Sequence, residues 1–331
     1  MTGTTDQGVL FDDLPADPEE ARLEVRSDVE FIELRPKRAL NVNRSRHMPF
    51  AYTLNPARGC EFGCKYCYAR YTHEYLGREG ERAWDREILV KTTLVDALRS
   101  ELRPDRLRGK EIAIGTATDP YQPAERRFGV MRSVLTEFAR HRGLTVSITT
   151  KSPLVVRDVD LLQELGRRGE VTVNMSLISL DRRLLRRLEP RAPTPERRLW
   201  AVERLATAGV RVGMFLMPIL PGLTDDPGDL EALIRRAADA GAQYVVPSTL
   251  FLRSAARKSF LPVIDGEFPA LAPLYHDYYR RSAYAPKEYR MRIGALVRRL
   301  ARKYGVGRGW ERRSSAPAQP RMDESQLSLP L

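Results

Sequence analysis

The chain has few of the features that mark membrane and secreted proteins. No apolar run approaches the roughly 18 residues that a transmembrane helix needs, and residues 1–30 are acidic rather than basic and hydrophobic. There are only three cysteines and four histidines in 331 residues. An odd number of cysteines with no predicted signal peptide excludes a disulfide framework. We therefore expect a cytoplasmic protein with no membrane partner.

All three cysteines lie in the run Asn55–Tyr68, whose sequence is NPARGCEFGCKYCY. Cys60, Cys64 and Cys67 form the pattern Cys-x₃-Cys-x₂-Cys, and the aromatic Tyr66 precedes the last of them. Three thiolates can bind three irons of a [4Fe–4S] cluster and leave the fourth iron without a protein ligand. Such an open position is typical of a cluster that binds and reduces a small molecule rather than one that only transfers electrons.

Two other interpretations of the cysteines stay open at this stage. They could be small buried apolar side chains, although such packing does not explain why every cysteine lies in one short run. The stronger alternative is a closed zinc site, because His73 would complete a Cys₃His set. The surrounding pattern favours the open cluster, since a predicted strand precedes the loop and a predicted helix follows it. Catalytic loops of α/β barrels lie in that position.

Charge is unevenly distributed along the chain. Residues 1–30 hold nine acidic and two basic residues, a net charge of −7, so the remainder carries +19 to give the total of +12. Such a surface attracts phosphate groups and favours a nucleic-acid partner, although arginines that merely solvate helices would give the same composition. The basic residues cluster at Arg35, Lys37, Arg38, Arg44 and Arg46, at Arg182, Arg183, Arg186, Arg187, Arg191, Arg197 and Arg198, and within residues 280–313.

Short β-branched runs alternate with amphipathic stretches between residues 50 and 260. The alternation predicts an α/β fold of about six β/α units that close into a parallel barrel or partial barrel. The predicted strands are Tyr52–Leu54, Glu111–Ile114, Thr145–Thr149, Val171–Leu177, Val210–Met217 and Tyr244–Val246. The predicted helices are Met131–Arg142, Asp158–Arg168, Pro195–Ala208, Asp226–Ala240 and Pro286–Tyr304, with C-caps expected at Gly143, Gly169, Gly209 and Gly241.

We expect four segments along the chain. Residues 1–45 form a largely disordered segment that passes from acidic to basic. Residues 46–260 form the core, and residues 261–308 form a small helical extension. Residues 309–331 form a flexible tail.

The cysteine motif and the loops after the predicted strands resemble the radical S-adenosylmethionine (SAM) superfamily, in the branch that contains spore photoproduct lyase and the DNA repair photolyase-like proteins. The resemblance implies a partial (β/α)₆ TIM-like barrel, a [4Fe–4S] cluster, SAM bound at its open iron, and a reductant such as flavodoxin or ferredoxin. In the implied reaction, reductive cleavage of SAM gives methionine and a 5′-deoxyadenosyl radical, which abstracts hydrogen from a substrate. The loops that carry the resemblance are Gly115–Glu125, Thr149–Ser152, Leu188–Pro193 and Pro218–Thr224.

The resemblance also implies which residues bind SAM. Lys151 follows the third predicted strand and Ser176 lies in the fourth, and an ammonium group and a hydroxyl suit the carboxylate of SAM. Tyr66 and Thr118 complete the expected cofactor-binding set. Lys151 and Ser176 could instead be ordinary polar caps of their strands.

Three further residues are candidates for catalytic contacts, and one position departs from the family pattern. Asp119 and Tyr121 are placed to contact substrate or SAM, although Asp119 could instead cap the turn before Pro120. Arg191 could bind a carboxylate or a phosphate. Thr116 stands where spore photoproduct lyase carries the cysteine that donates a hydrogen atom. We therefore expect no thymine-dimer reversal by that route.

The ends of the chain carry two short peptides of interest. Gln326, Leu327, Leu329 and Leu331 belong to the run QLSLPL, which looks like the clamp-binding peptide of bacterial replication and repair proteins. The run Gln7–Phe11 has a weaker likeness. Flexible segments with a few apolar anchors commonly dock in this way, but six-residue matches also arise by chance. We expect DNA, and the DNA sliding clamp through the C-terminal peptide, as partners.

Three hypotheses about function follow. The first is a radical SAM enzyme that repairs or modifies DNA. The second is the same chemistry on RNA, on protein or on a small metabolite. The third, of another class, is a non-catalytic Cys₃His zinc module that binds nucleic acid.

Overall fold

The computed structural model describes residues 28–45, 48–77 and 83–308, and a sheet of parallel strands forms its centre. The strands of the described residues are β1 Glu30–Glu33, β2 Asn41–Val42, β3 Tyr52–Leu54, β4 Ala57–Arg58, β5 Glu87–Val90, β6 Glu111–Ile114, β7 Thr145–Thr150, β8 Glu170–Ser176, β9 Arg211–Ile219, β10 Tyr244–Thr249 and β11 Gly307–Arg308. Its α-helices are α1 Tyr71–Glu74, α2 Ala83–Arg86, α3 Leu94–Glu101, α4 Pro104–Leu107, α5 Ala124–Phe128, α6 Val130–Phe138, α7 Val159–Arg168, α8 Arg182–Leu188, α9 Pro195–Thr207, α10 Pro227–Asp239, α11 Ser254–Glu267, α12 Ala272–Tyr278 and α13 Lys287–Lys303. Short 3₁₀ helices occupy Tyr68–Arg70, Pro153–Asp158 and Pro269–Leu271.

In the described part of the chain, six strands run parallel in the spatial order β3, β6, β7, β8, β9, β10. The two-residue strand β2 lies antiparallel beside β3, and β11 lies parallel beside β10. The sheet therefore has two separate edges rather than closing on itself. The carboxyl ends of the six strands all lie at the same end of the sheet, and ligands bind at that end in folds of this kind. This confirms the predicted partial (β/α)₆ barrel.

The sequence pattern explains why helices pack against the faces of the parallel sheet. Strand β8 is buried on both faces, with Val171, Val173 and Met175 on one and Asn174 and Ser176 on the other, as expected for a parallel strand covered by helices. Helix α7 buries Leu162 and Leu165, which are spaced to lie on one side of a helix. The core thus lies on both sides of the sheet.

The predicted strands are all present, most of them with bounds that differ by one to three residues at one end or both. Gly209 and Gly241 follow the last residues of α9 and α10 closely and have φ angles of 75° and 87°, as expected for helix ends. One of the four predicted caps is wrong, because helix α6 ends at Phe138 and Gly143 lies in the later turn before β7. Gly169 is the C-cap of α7, and its amide donates to the carbonyl oxygen of Leu165 at 2.8 Å. Its φ of −162° is extended, and a Cβ there would overlap the carbonyl oxygen of Leu144, so close approach explains this glycine.

The sequence analysis missed a second, smaller sheet. Strand β5 pairs in parallel with β1 and antiparallel with β4, in the order β1, β5, β4. Strands β1 and β2 lie within residues 28–45, where we expected little order. Strand β4 leads directly into the cysteine run, so this sheet supports one side of it.

The core is followed by helices α11 to α13, as predicted. Helix α13 buries Tyr289, Ile293, Val297 and Leu300, a stripe at helical spacing that packs against the barrel. The helices of the described residues are all too short or too polar to cross a membrane.

Candidate iron–sulfur site

Residues 59–68 form a loop, here called the cysteine loop, at the carboxyl end of the parallel strands. It begins after β4 and ends at the 3₁₀ turn that starts with Tyr68. Cys60 and Cys64 are buried, and Cys67 is partly exposed. Gly59 and Gly63 have φ angles of 82° and 62°, values that residues with a side chain rarely adopt. The loop therefore winds tightly enough to bring its three thiols to one side.

The three thiols lie close enough together for charge on one to affect the others. Burial raises the pKa of Cys60 well above its usual range, and negative charge on Asp119, Cys64 and Cys67 raises it further. Burial likewise raises the pKa of Cys64 to about 12. Thiols that repel one another's ionised forms need a shared cation to become thiolates. Three thiols and no carboxylate ligand suit iron and sulfide, so the donor set fits a [4Fe–4S] cluster.

The zinc alternative is not supported by the position of His73. Its Nε2 lies 3.0 Å from the carbonyl oxygen of Glu87, and its ring packs edge-on against Trp84 with centroids 5.2 Å apart. Within residues 28–45, 48–77 and 83–308, no group of three or more His, Cys, Asp or Glu side chains is placed to bind a single metal ion. A tetrahedral zinc ion needs four donors at one point, whereas a cluster spreads its ligands over separate irons.

A buried carboxylate fixes the second half of the cysteine loop. The Tyr66 hydroxyl donates to Glu189, and the Arg198 guanidinium donates to the other carboxylate oxygen. Arg198 also donates to the carbonyl oxygens of Ser176 and Pro193, at 3.0 Å and 2.7 Å. The side chains of Glu189 and Arg198 are both 0% exposed. Burial alone would raise the pKa of Glu189, but the charges of Arg198 and Lys151 outweigh it and lower the pKa.

The first half of the loop is tied to the loop after β6. The backbone amide of Glu61 donates to the side chain of Gln122 at 2.8 Å, and the Glu61 carboxylate accepts from the amide of Ala124 at 2.7 Å. The Thr118 hydroxyl and the Gln122 amide both donate to the carbonyl oxygen of Gly59. Thr118, which we expected to bind the cofactor, therefore holds the loop in place.

The positive charge of Lys151 lies close enough to Cys64 and Cys67 to favour their ionised forms, and Arg70 acts in the same way on Cys67. Burial alone would lower the pKa of its ammonium group, but negative charge on Cys64 and Glu189 outweighs burial and raises the pKa. Its Nζ has no hydrogen-bond partner among the described residues. Its backbone amide donates at 2.7 Å to Asp119, which also accepts from the Thr150 hydroxyl at 2.6 Å. Asp119 thus positions Lys151, and both its carboxylate oxygens accept hydrogen bonds from the protein.

Ser176 lies at the carboxyl end of β8 and Thr116 follows that of β6, with β7 between the two strands. Ser176 ends β8, is buried, and is 3.5 Å from the carbonyl oxygen of Met217. The Thr116 hydroxyl accepts from the Asn55 amide at 3.2 Å. Its carbonyl oxygen accepts from the hydroxyl of the half-exposed Tyr68, directly after the last cysteine. Thr116 is therefore within hydrogen-bond reach of the cysteine loop.

Two candidate catalytic residues have other partners. Arg191 donates to the Asp85 carboxylate and to the carbonyl oxygen of Glu61, and a Cβ on Gly63 would overlap its guanidinium. Tyr121 is 1% exposed, and its hydroxyl donates to Asp158 at 3.2 Å. Arg191 therefore stabilises the cysteine loop. The Tyr121 hydroxyl contacts a separate cluster of charged residues.

The sequence analysis missed three residues of this site: Glu189, Arg198 and Gln122. Gln122 lies in a polar loop that the motif comparison singled out, so its position was a usable signal. Glu189 lies in another of these loops, Leu188–Pro193, so the same signal applied to it, but neither it nor Arg198 is marked as buried by the surrounding charged residues.

The buried hydrogen bond of Tyr66 can be tested by Tyr66→Phe. The change leaves one Glu189 oxygen without this donor in a site that water does not reach, so we expect a loss of about 1–3 kcal/mol in unfolding free energy. Urea unfolding followed by circular dichroism measures it. The control is Tyr71→Phe, because the Tyr71 hydroxyl has no hydrogen bond among the described residues. Equal stability of the two variants would contradict the assigned role of Tyr66.

The comparisons with known proteins agree with this site. The model of the Radical SAM superfamily matches residues 54–237. The uncharacterized protein Rv2578c of Mycobacterium tuberculosis is 38% identical over 277 residues, which cover 83% of this chain and 81% of the relative. The uncharacterized protein MJ0683 of Methanocaldococcus jannaschii is 30% identical over 202 residues, or 61% of this chain and 72% of the relative.

Solved structures show the same fold. Spore photoproduct lyase complexed with dinucleoside spore photoproduct matches with a TM-score of 0.61 and 17% identity, over 88% of this chain and 85% of that chain. A family match to more than half of the chain, a cysteine loop that fits a cluster, and this fold lead to one conclusion. The chain belongs to the radical SAM superfamily of enzymes.

Proposed function

We propose that this enzyme binds a [4Fe–4S] cluster through Cys60, Cys64 and Cys67, binds SAM beside it, and acts on DNA. The observation that carries the proposal is the convergence of the three thiols of the cysteine loop, two of them buried, and the Lys151 ammonium at the carboxyl end of the barrel. When bound, the cluster supplies the electron that cleaves SAM to methionine and a 5′-deoxyadenosyl radical.

The protein's own part is binding, orientation and exclusion of water. The Lys151 ammonium and the Ser176 hydroxyl are suited to the carboxylate of SAM. Tyr66 and Thr118 act indirectly, because their hydroxyls are used to hold the cysteine loop. Burial of Cys60 and Cys64 keeps water away from the reacting centre, which strengthens the electrostatic interactions there and prevents side reactions.

Anaerobic reconstitution with iron and sulfide tests this assignment. We expect Cys60→Ser to lose most iron and all SAM cleavage, whereas Lys151→Met keeps its iron but raises KM for SAM about tenfold, the cost of one charge-assisted hydrogen bond. Iron assay and chromatography of 5′-deoxyadenosine are the measurements. The control His73→Gln should retain iron. Colourless protein that binds one zinc ion and loses it in His73→Gln would establish the zinc module instead.

Two observations favour DNA over RNA, protein or a small metabolite. The chain outside residues 1–30 has a net charge of +19, which suits a polyanion. Spore photoproduct lyase, which shares the fold, has been solved with dinucleoside spore photoproduct. The run with Gln326, Leu327, Leu329 and Leu331, which resembles a clamp-binding peptide, lies outside the described residues and supports the same substrate through its sequence. A cytoplasmic flavodoxin or ferredoxin is the proposed reductant.

Binding experiments separate DNA from the other substrates. We expect affinity for DNA to fall steeply with salt, because each phosphate contact releases counterions. In a pull-down, the chain should retain the bacterial sliding clamp until Leu327 and Leu329 become alanine, which removes the apolar anchors. Failure of the intact chain to bind either DNA or the clamp would contradict DNA as the substrate.

The presence of Thr116 predicts that the enzyme does not repair spore photoproduct by hydrogen-atom donation from this position. An O–H bond is too strong to donate a hydrogen atom to a carbon radical on a base, and the Thr116 hydroxyl already accepts a hydrogen bond from Asn55. We expect the reconstituted enzyme not to convert a dinucleoside spore photoproduct to its repaired dinucleotide, as measured by chromatography under conditions where SAM is cleaved. Repair above the level of a cluster-free control would contradict the prediction.

A further inference from the structure

A basic and aromatic segment lies beside the mouth of the barrel. After strand β10 the chain runs past Phe251, which forms an isolated antiparallel bridge with Tyr284. The amide of Leu252 donates to the carbonyl oxygen of Ala283 at 2.9 Å. Because this pairing follows the carboxyl end of β10, the segment before α13 lies at the same edge of the sheet as the cysteine loop.

Helix α11 connects this segment to the cysteine loop. The Ser259 hydroxyl donates to the carbonyl oxygen of Lys65 at 3.2 Å, and the Phe260 ring packs edge-on against Tyr66 with centroids 6.3 Å apart. From the same helix, Arg257 donates to the carbonyl oxygen of Tyr279. The position of the segment is therefore fixed relative to the thiols.

The segment surrounds a shallow hollow of about 280 Å³. Among the described residues that line it, Asp277 is the one acid, and it lies 4.0 Å from Arg280. The remaining charged residues of the lining are all basic. Together with an exposed tyrosine they are called the rim platform: Arg280, Arg281, Tyr284, Lys287 and Arg290.

Two members of the rim platform are held ready for a ligand. The Arg290 guanidinium lies over the Tyr284 ring, 5.3 Å from its centroid, and its Nε donates to the carbonyl oxygen of Ala285 at 3.0 Å. The Tyr284 ring packs on Phe251 with centroids 4.7 Å apart, yet Tyr284 remains 52% exposed. A large aromatic side chain exposed next to an ordered guanidinium is the combination that stacks bases and binds phosphates.

Four arginines of the basic cluster within residues 182–198 form ion pairs with carboxylates of the same chain. Arg198 pairs with Glu189, Arg191 with Asp85, Arg187 with Glu267 and Arg182 with Glu196. By contrast, Arg281, Lys287 and Arg290 have no carboxylate within 4.0 Å among the described residues. The rim platform therefore presents unpaired positive charge to a polyanion beside the mouth of the barrel.

We propose that the rim platform binds a single-stranded stretch of DNA next to the nucleotide that enters the barrel. The proposal rests on DNA as the substrate and adds where the strand lies. The thiols are buried inside the barrel end, so a base can reach the radical only when its nucleotide leaves the duplex. The neighbouring nucleotides then cross the rim, where arginine and lysine bind their phosphates and Tyr284 stacks on a base.

The test uses the full chain and a fluorescein-labelled 20-nucleotide oligothymidylate, with binding followed by anisotropy from about 50 to 200 mM salt. Lys287→Ala with Arg290→Ala should weaken binding at least about tenfold and reduce the salt slope by about 1.4, which corresponds to two phosphate contacts on a single strand. Tyr284→Ala should weaken binding about tenfold without changing the slope, because it removes stacking alone.

The matched control is Arg298→Ala with Arg302→Ala. Both arginines are exposed and lie on the same helix α13, but nearer its end and away from the cysteine loop. Their substitution removes the same number of positive charges as the first double variant. The control should bind within about twofold of the parent chain, and thermal unfolding should show that all variants are folded. Equal weakening by the two double variants would overturn the rim platform while leaving DNA binding intact. No binding by the parent chain would instead contradict DNA as the substrate.

Discussion

The site depends on a carboxylate that is out of contact with water. Glu189 accepts hydrogen bonds from Tyr66 of the cysteine loop and from Arg198, which in turn binds the end of β8 through the carbonyl oxygen of Ser176. A buried ion pair adds little net stability, because both charges lose their hydration. Its value here is geometric. If either partner moved, an unpaired charge would remain in the core, so the cysteine loop and the barrel end have one favourable arrangement.

A second set of contacts holds the loop from the other side. Thr118 and Gln122 bind the carbonyl oxygen of Gly59, and Arg191 spans from the Glu61 carbonyl to Asp85. The loop is thus fixed by the segments after β6 and β8 before any ligand binds. Such preorganisation lowers the entropic cost of bringing reacting groups together, and it leaves Lys151 as the cationic side chain directed toward the thiols.

Patterns that report burial and local geometry made the core of the fold predictable. Strand β9 is an almost continuous apolar run, and Gly241 marks a helix end through its backbone freedom. The pairing of β1 with β5 was not predictable, because residues far apart in sequence form it and each strand has only four residues. In the site, the cysteines were evident from their spacing, whereas Glu189 was not. A charged residue in a basic stretch looks exposed until its partners are known.

The last described strand has a consequence for how the enzyme would work beside a large partner. Strand β11 pairs with the beginning of β10, through Tyr244 and Val245, so the chain leaves the barrel on the side away from the cysteine loop. The described chain therefore ends at the opposite end of the sheet from the carboxyl ends of the strands. A large partner that bound at this end would not cover the cysteine loop.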